Sequence, residues 1–187
     1  MPRLRDILER NPVIPAIRNA DFLEEACESA SELGFVVMSN LVNLRNIVST
    51  LKAHNKLVFI HIDMVAGLSS DNYTVDYLMR EVSPDGLITT KHNVALYARK
   101  QKIPVIQRFF IIDSFSFENS VQHIRENKPD AVEVLPGIIP GIISRMSVLV
   151  PTPIIASGLI GDKSDVTAAI RAGAVSVSTS KKSLWNI

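Results

Sequence analysis

Two clusters of small polar residues carry the clearest chemistry in this chain. Ser157 and Gly158 close the apolar run 153–156, and Ser178, Thr179 and Ser180 close the apolar run 174–178. A glycine has no Cβ, so an oxyanion can approach its backbone closely, and hydroxyls and free amides supply donors. Lys181 and Lys182 follow at once and raise the local positive potential. Ser157, Gly158, Thr179 and Ser180 are therefore the candidate phosphate ligands. The competing reading is an ordinary strand-to-helix turn.

A second set of candidates sits at the ends of the other apolar runs: Arg18, His61, Asp63, Lys91, Gln107, Arg108 and Glu133. His61 and Asp63 are two apart, so on a strand their side chains share a face. An imidazole beside a carboxylate suits a general base, a metal pair or an anchor for hydroxyls. No third residue with metal-ligand spacing accompanies them, so no metal is expected. Lys91 has the chemistry of a Schiff-base amine or of a simple positive charge near an anion. Arg18 and Arg108 can each fork a phosphate or pair with Asp63 and Glu133. Any one strand-end residue can be polar merely because strand ends meet water. A whole ring of ionisable groups is harder to explain that way.

These residues need elements to position them. Apolar runs recur at 13–17, 35–38, 57–62, 86–89, 104–111, 131–135, 153–156 and 174–178, with amphipathic segments between them. Near-continuous apolar runs are the mark of parallel strands buried on both faces, and alternation with helices gives an α/β fold. Eight runs favour a compact (β/α)8 TIM-type barrel, one domain over residues 1–187, with its phosphate site after strands 7 and 8. The length of 187 residues is short for such a barrel, which usually needs at least about 200. An open doubly wound sheet is the alternative. Helix signals include Asp21 as an N-cap with Gly34 as the stop of the same helix, Asn43, Ser70–Asn72, Ser114 and Asp162–Ser164 as starts, Pro140 in a first turn, and Gly173 as a stop. The segment Lys182–Trp185 reads as a stub, with Trp185 a packing plug. Phe109, Phe110, Phe115 and Phe117 read either as core or as an apolar patch for self-association.

Composition sets the remaining bounds. Hydrophobic residues make up 47% and charged residues 21%, which is globular and not disordered. A net charge of +1 argues against an extended basic surface for nucleic acid. The single Cys27 rules out an internal disulfide framework. The N-terminal stretch reads as an amphipathic helix without a signal peptide's apolar core, and no apolar run approaches the roughly 18 residues of a membrane span. A soluble cytoplasmic protein with no membrane partner is expected.

Seven segments together resemble the glycerol uptake operon antiterminator regulatory protein family, the glycerol-3-phosphate-responsive mRNA-binding antiterminators. They are Val-Ile-Pro-Ala-Ile-Arg (13–18), His-Ile-Asp-Met-Val-Ala-Gly-Leu (61–68), Pro-Asp-Gly-Leu-Ile-Thr-Thr-Lys (84–91), Ile-Gln-Arg-Phe-Phe-Ile-Ile-Asp-Ser (106–114), Glu-Val-Leu-Pro-Gly-Ile-Ile-Pro (133–140), Ser-Gly-Leu-Ile (157–160) and Val-Ser-Thr-Ser (177–180) with Leu-Trp (184–185). The resemblance implies a phosphate-binding barrel that takes glycerol 3-phosphate as effector, needs no other cofactor, binds the leader mRNA of glycerol genes and prevents termination. By position it implies that Gly158, Thr179 and Ser180 hold the phosphate and that Arg18, His61, Asp63, Lys91, Gln107, Arg108 and Glu133 line the mouth. The chain departs from the family pattern at Ser157, where a second glycine is usual, and at Lys91, where arginine is common.

Three functions are compared. The first is a ligand-gated RNA-binding regulator acting as a homo-oligomer, with no catalytic residues. Its RNA surface is not announced by a motif; Arg3, Arg5, Arg10, Arg99, Lys100, Lys102, Lys181 and Lys182 are the local candidates. The second is an isomerase- or aldolase-like enzyme acting on a small phosphorylated sugar or polyol. The third is a metabolite sensor with a protein partner. The regulator is the expectation.

Overall fold

The computed structural model describes residues 4–187, so Arg3 lies outside the described residues. Eight parallel strands close into a barrel: β1 (Val13–Ile17), β2 (Leu33–Val36), β3 (Leu57–His61), β4 (Gly86–Thr89), β5 (Val105–Phe110), β6 (Ala131–Leu135), β7 (Ile154–Ser157) and β8 (Ser176–Thr179). β8 closes on β1 through the register Val13↔Val177, Ile14↔Ser178 and Pro15↔Thr179. The expected closed barrel is observed, and the open sheet is not.

Each strand buries both faces, which is why the runs carry no polar alternation. Inward residues Ile14, Phe35, Phe59, Ile88, Ile106 and Ile155 form the inner core, with the Phe35 and Phe59 rings 5.9 Å apart. Outward residues such as Val58, Ile60, Val132 and Val177 pack under the helices. The helices are α1 (Leu4–Arg10), α2 (Leu23–Glu28), α3 (Leu44–Ala53), α4 (Asn72–Tyr77), α5 (His92–Lys100), α6 (Ser114–Asn127), α7 (Pro140–Leu149) and α8 (Lys163–Arg171). Leu44, Ile47, Val48 and Leu51 form the buried stripe of α3 at helical spacing.

The short length is absorbed at the two ends of the chain. α1 precedes β1 and puts Ile7 and Leu8 into the inner core, closing the floor of the barrel. Ser176 Oγ bonds the carbonyls of Leu8 and Asn11 at 2.7 and 2.8 Å, tying that floor to β8. After β8 only a single 3-10 turn, Lys182–Leu184, remains before the buried Trp185. Trp185 Nε1 donates to the Thr179 carbonyl at 2.8 Å, so the plug also fixes the end of β8.

Three local expectations are corrected. Asp21 is not an N-cap; Asn19 accepts from the Asp21 amide at 3.1 Å and opens a 3-10 turn ahead of α2. Gly34 lies inside β2, not at a helix stop, because α2 ends at Glu28. α6 is capped by Asp113, one residue before the expected Ser114, with its carboxylate accepting from the Ser116 amide and Ser116 Oγ closing the capping box; α4 starts within the expected Ser70–Asn72, where Asp71 accepts from the Thr74 amide. Asp162 caps α8 as expected.

Candidate functional site

The C-terminal ends of the strands surround a cavity of about 760 Å³. Ladder parity decides what enters it. On β5, Arg108 and Phe110 point inward and line the cavity, whereas Gln107, one residue earlier, points outward. Gln107 is fully buried there, and its Oε1 accepts from Asn127 Nδ2 of α6 at 2.7 Å. It does not meet the mouth. Lys91 also lies elsewhere: it precedes α5, is exposed, and its Nζ donates to the Ser70 carbonyl at 3.3 Å. Arg18, His61, Asp63, Arg108, Ser157, Gly158, Thr179 and Ser180 all line the cavity, and Glu133 lies directly beneath.

Beneath the cavity is a buried polar cluster. Arg108 Nε donates to Glu133 Oε2 at 2.6 Å, and Ser178 Oγ donates to Glu133 Oε1 at 2.6 Å. Ser157 Oγ is 2.7 Å from Ser178 Oγ. A hydroxyl has one proton, so with Ser178 donating to the carboxylate, Ser157 donates to Ser178. Glu133 is wholly buried. Burial alone would raise its pKa, but the Arg108 charge, the Arg108 hydrogen bond and the serine hydroxyls hold it below the usual carboxylate range. The Arg108 Nη groups make no hydrogen bond among the described residues, so they remain available at the cavity wall.

The β3–β4 side carries His61 and Asp63. Burial, and then the Arg108 charge, push the His61 pKa down to about 4, against the opposing pull of Asp63 and Glu133. His61 is therefore neutral at physiological pH. Its buried Nδ1 takes no hydrogen bond, with Asp63 Oδ2 4.0 Å away. Asp63 sits in the turn Ile62–Met64 and accepts from Thr89 Oγ1 at 2.9 Å, the Thr90 amide at 2.6 Å and Thr90 Oγ1 at 2.8 Å. Burial opposes its ionisation, and the Thr90 and Thr89 donors outweigh that and hold its pKa low.

The β7–β8 side is built of backbone. Gly158 adopts φ +78°, and Leu159 follows with φ +63°. The Gly137 amide holds this loop through the Ser157 carbonyl at 2.5 Å and the Gly158 carbonyl at 3.2 Å; a Cβ on Gly137 would lie 2.6 Å from the Ser157 nitrogen. The amides of Gly158, Leu159, Ile160 and Ser180 donate to no group among the described residues, although all four residues line the cavity. Lys181 lines it too. Lys182 turns away, with its ammonium on Glu25 and on the Asp21 carbonyl at 2.8 Å. In the strand order, β7 and β8 face β3 and β4 across the barrel, so the site has a donor-rich cationic wall opposite a His–Asp wall.

Several lining groups were not singled out from sequence as ligands: Thr90, Phe110, Leu159 and Lys181. Their signal was proximity to a strand end, but which residues turn inward is set by ladder parity, which uniformly apolar strands conceal.

This geometry defines a TIM-type α/β barrel with a cavity at its C-terminal rim lined by backbone amides unpaired among the described residues and by Arg18, Arg108 and Lys181. Residues 13–185 match the family model described as glycerol-3-phosphate responsive antiterminator, and the chain belongs to that family. An Escherichia coli (strain K12) protein called uncharacterized protein YgcP is 34% identical, over 100% of this chain and 97% of its own length. The crystal structure of the glycerol uptake operon antiterminator regulatory protein from Listeria monocytogenes is similar with TM-score 0.89 and 37% identity, covering 92% of this chain and 94% of that one. A glycerol uptake operon antiterminator-related protein from Thermotoga maritima gives TM-score 0.84 and 28% identity, covering 94% and 98%.

Proposed function

We propose that the cavity binds glycerol 3-phosphate and that its occupancy controls binding of leader mRNA from glycerol-utilisation genes, preventing transcription termination. The observation that carries this reading is the set of partnerless amides at Gly158, Leu159, Ile160 and Ser180 beside Lys181. Backbone polar groups at a protein surface pocket are nearly always paired with protein, water or ligand, and a ring of donors selects an anion. The phosphate sits there, with the Ser180 hydroxyl nearby; the Thr179 hydroxyl instead donates to the Ile160 carbonyl at 3.1 Å and accepts from the Lys181 amide at 3.1 Å, so it shapes the loop without touching phosphate. The glycerol hydroxyls reach towards the edge of the His61 ring that lines the cavity, the Asp63 carboxylate and the Arg108 Nη groups. Ser157 contributes through Ser178 and Glu133, not by touching phosphate.

The regulatory output follows from linkage: a ligand that binds the RNA-competent form better shifts the population towards it. A coupling of about 1–3 kcal/mol changes RNA affinity roughly five- to 150-fold. A homo-oligomer multiplies a modest RNA surface on a chain of net charge +1. Most of the basic residues near the floor are already engaged: Arg10 with Glu32, and Arg5 with the Pro151 carbonyl. The aldolase-like alternative is not favoured, because Lys91, the lysine proposed for it, lies outside the cavity.

The test is thermal unfolding with glycerol 3-phosphate, glycerol or inorganic phosphate, followed by leader-RNA binding at low salt. Glycerol 3-phosphate at about a hundred times its Kd stabilises the protein by about 2.7 kcal/mol. Glycerol alone gives no shift. Absence of a shift with glycerol 3-phosphate refutes the ligand, and RNA affinity unchanged by a bound ligand refutes the gating.

A further inference from the structure

Outside the barrel, α5 and α6 bring together three side chains that the rim chemistry does not use. His92 opens α5, and His123 and Glu126 lie three apart on one face of α6. One ligand atom from each lies within 4.8 Å of the others, and the two imidazole rings are 4.9 Å apart at 50°. We propose that His92, His123 and Glu126 form a binding site for a divalent first-row transition ion of imidazole preference, such as zinc.

Three observations converge on this site. His92 Nδ1 is buried and has no hydrogen-bond partner, so a coordinating nitrogen of this ring is left unsatisfied in the protein alone. Glu126 Oε1 accepts from Gln122 Nε2 at 2.9 Å, which orients the carboxylate and leaves its second oxygen for an ion. The ligand set of two imidazoles and one carboxylate matches the softness of zinc, cobalt or nickel, whereas magnesium and calcium want oxygen alone. Bonds of about 2.0–2.2 Å place tetrahedral ligand atoms about 3.3 Å apart. The cluster therefore closes by rotamer adjustment, which the exposed Glu126 allows. Three protein ligands leave a fourth position for water. The ion would tie together the helices that follow β4 and β5, the strands whose ends carry Thr89 and Arg108.

Sequence spacing hides this site because His92 and His123 come from different β/α units. The experiment uses the full chain, freed of metal with a chelator and titrated calorimetrically with zinc, with cobalt as a spectroscopic probe. One equivalent binds, and cobalt shows the visible d–d bands of low-symmetry coordination. Outer-sphere partners already change affinity 10- to 100-fold, so losing a direct ligand in His92→Ala or His123→Ala weakens zinc by at least about tenfold. Glu126→Gln, an exposed change that spares the fold, also weakens it, while His54→Ala leaves it unchanged. No stoichiometric binding, no cobalt bands, or wild-type affinity in Glu126→Gln and His123→Ala overturns the proposal. The unfolding midpoint of each metal-free variant shows that the loss is of ligand and not of fold.

Discussion

Replacing Arg108 with methionine separates the structural and ligand roles of the cluster beneath the cavity. Glu133 is 0% exposed and Arg108 only 7%. Removing one partner of a buried ion pair leaves the other charge uncompensated, at a cost of about 3–5 kcal/mol. In the native protein the Glu133 carboxyl is held below its unfolded value of about 4.3. Its contribution is therefore present above that pH and is lost as pH falls through the lower folded value. In Arg108→Met the burial effect prevails and the folded pKa moves above the unfolded one. That variant takes up a proton on folding, so acidification now stabilises it. The gap between the two proteins should be about 3–5 kcal/mol at pH 7.5 and narrow markedly by pH 5. Urea unfolding across that range measures it. Arg108→Met/Glu133→Gln should recover much of the loss, because a neutral pair has no stranded charge. Neither arginine variant should be stabilised by glycerol 3-phosphate. A cost under about 1 kcal/mol, a gap that does not narrow with acid, or additive effects in the double variant would refute the reasoning.

Four further results are expected. Gly158→Ala places a Cβ 3.1 Å from Leu135 Cδ2 in a residue at φ +78°, so it should cost about 1 kcal/mol in urea unfolding and weaken glycerol 3-phosphate several-fold by calorimetry. His61 titrates at about 4 when folded and about 6.5 when unfolded, so its contribution is full above pH 6.5 and falls as pH drops towards 4, by up to about 3 kcal/mol; His61→Gln should flatten that part of the stability profile. Gln107→Leu should leave Asn127 Nδ2 unpaired and cost about 1–3 kcal/mol, with ligand affinity unchanged, and Lys91→Ala should change neither.

Strand positions were legible because a parallel strand buried on both faces is a run of apolar residues whatever its register. The same uniformity hid the facing of each side chain. Gln107 and Arg108 are adjacent in sequence and stand on opposite sides of the sheet, and only the closed ladder Gln107↔Val132 and Arg108↔Glu133 assigns them. Lys91 failed for another reason: it lies two residues beyond Thr89, where the chain has turned into α5. The four phenylalanines read together also divide by parity and helix face, with Phe109 and Phe117 buried and Phe110 and Phe115 exposed. The partnerless amides after β7 had no side-chain signature beyond Gly158. Their availability depends on the backbone turn through Gly158 and Leu159.

The energetics of the barrel's top layer favour ligand binding over stability as the reason for its composition. Barrel interiors are ordinarily filled with branched apolar residues, and the layer below, with Phe35, Phe59, Ile88 and Ile106, follows that habit. The next layer instead holds Arg108, Glu133, Ser157, Ser178 and His61. A buried ion pair is seldom more stable than an apolar replacement of similar volume, and keeping His61 neutral weakens the fold as pH falls. What this arrangement gains is preorganisation. Glu133 grips Arg108 through Nε and leaves its Nη groups forward, while three threonine donors keep Asp63 ionised. A ligand with one dianionic end and two hydroxyls meets groups already oriented, so little ordering cost is charged against its affinity. The Phe110 and Leu159 side chains border this cavity and are exposed at the rim, which is where the proposed regulation would let a macromolecular partner read its occupancy.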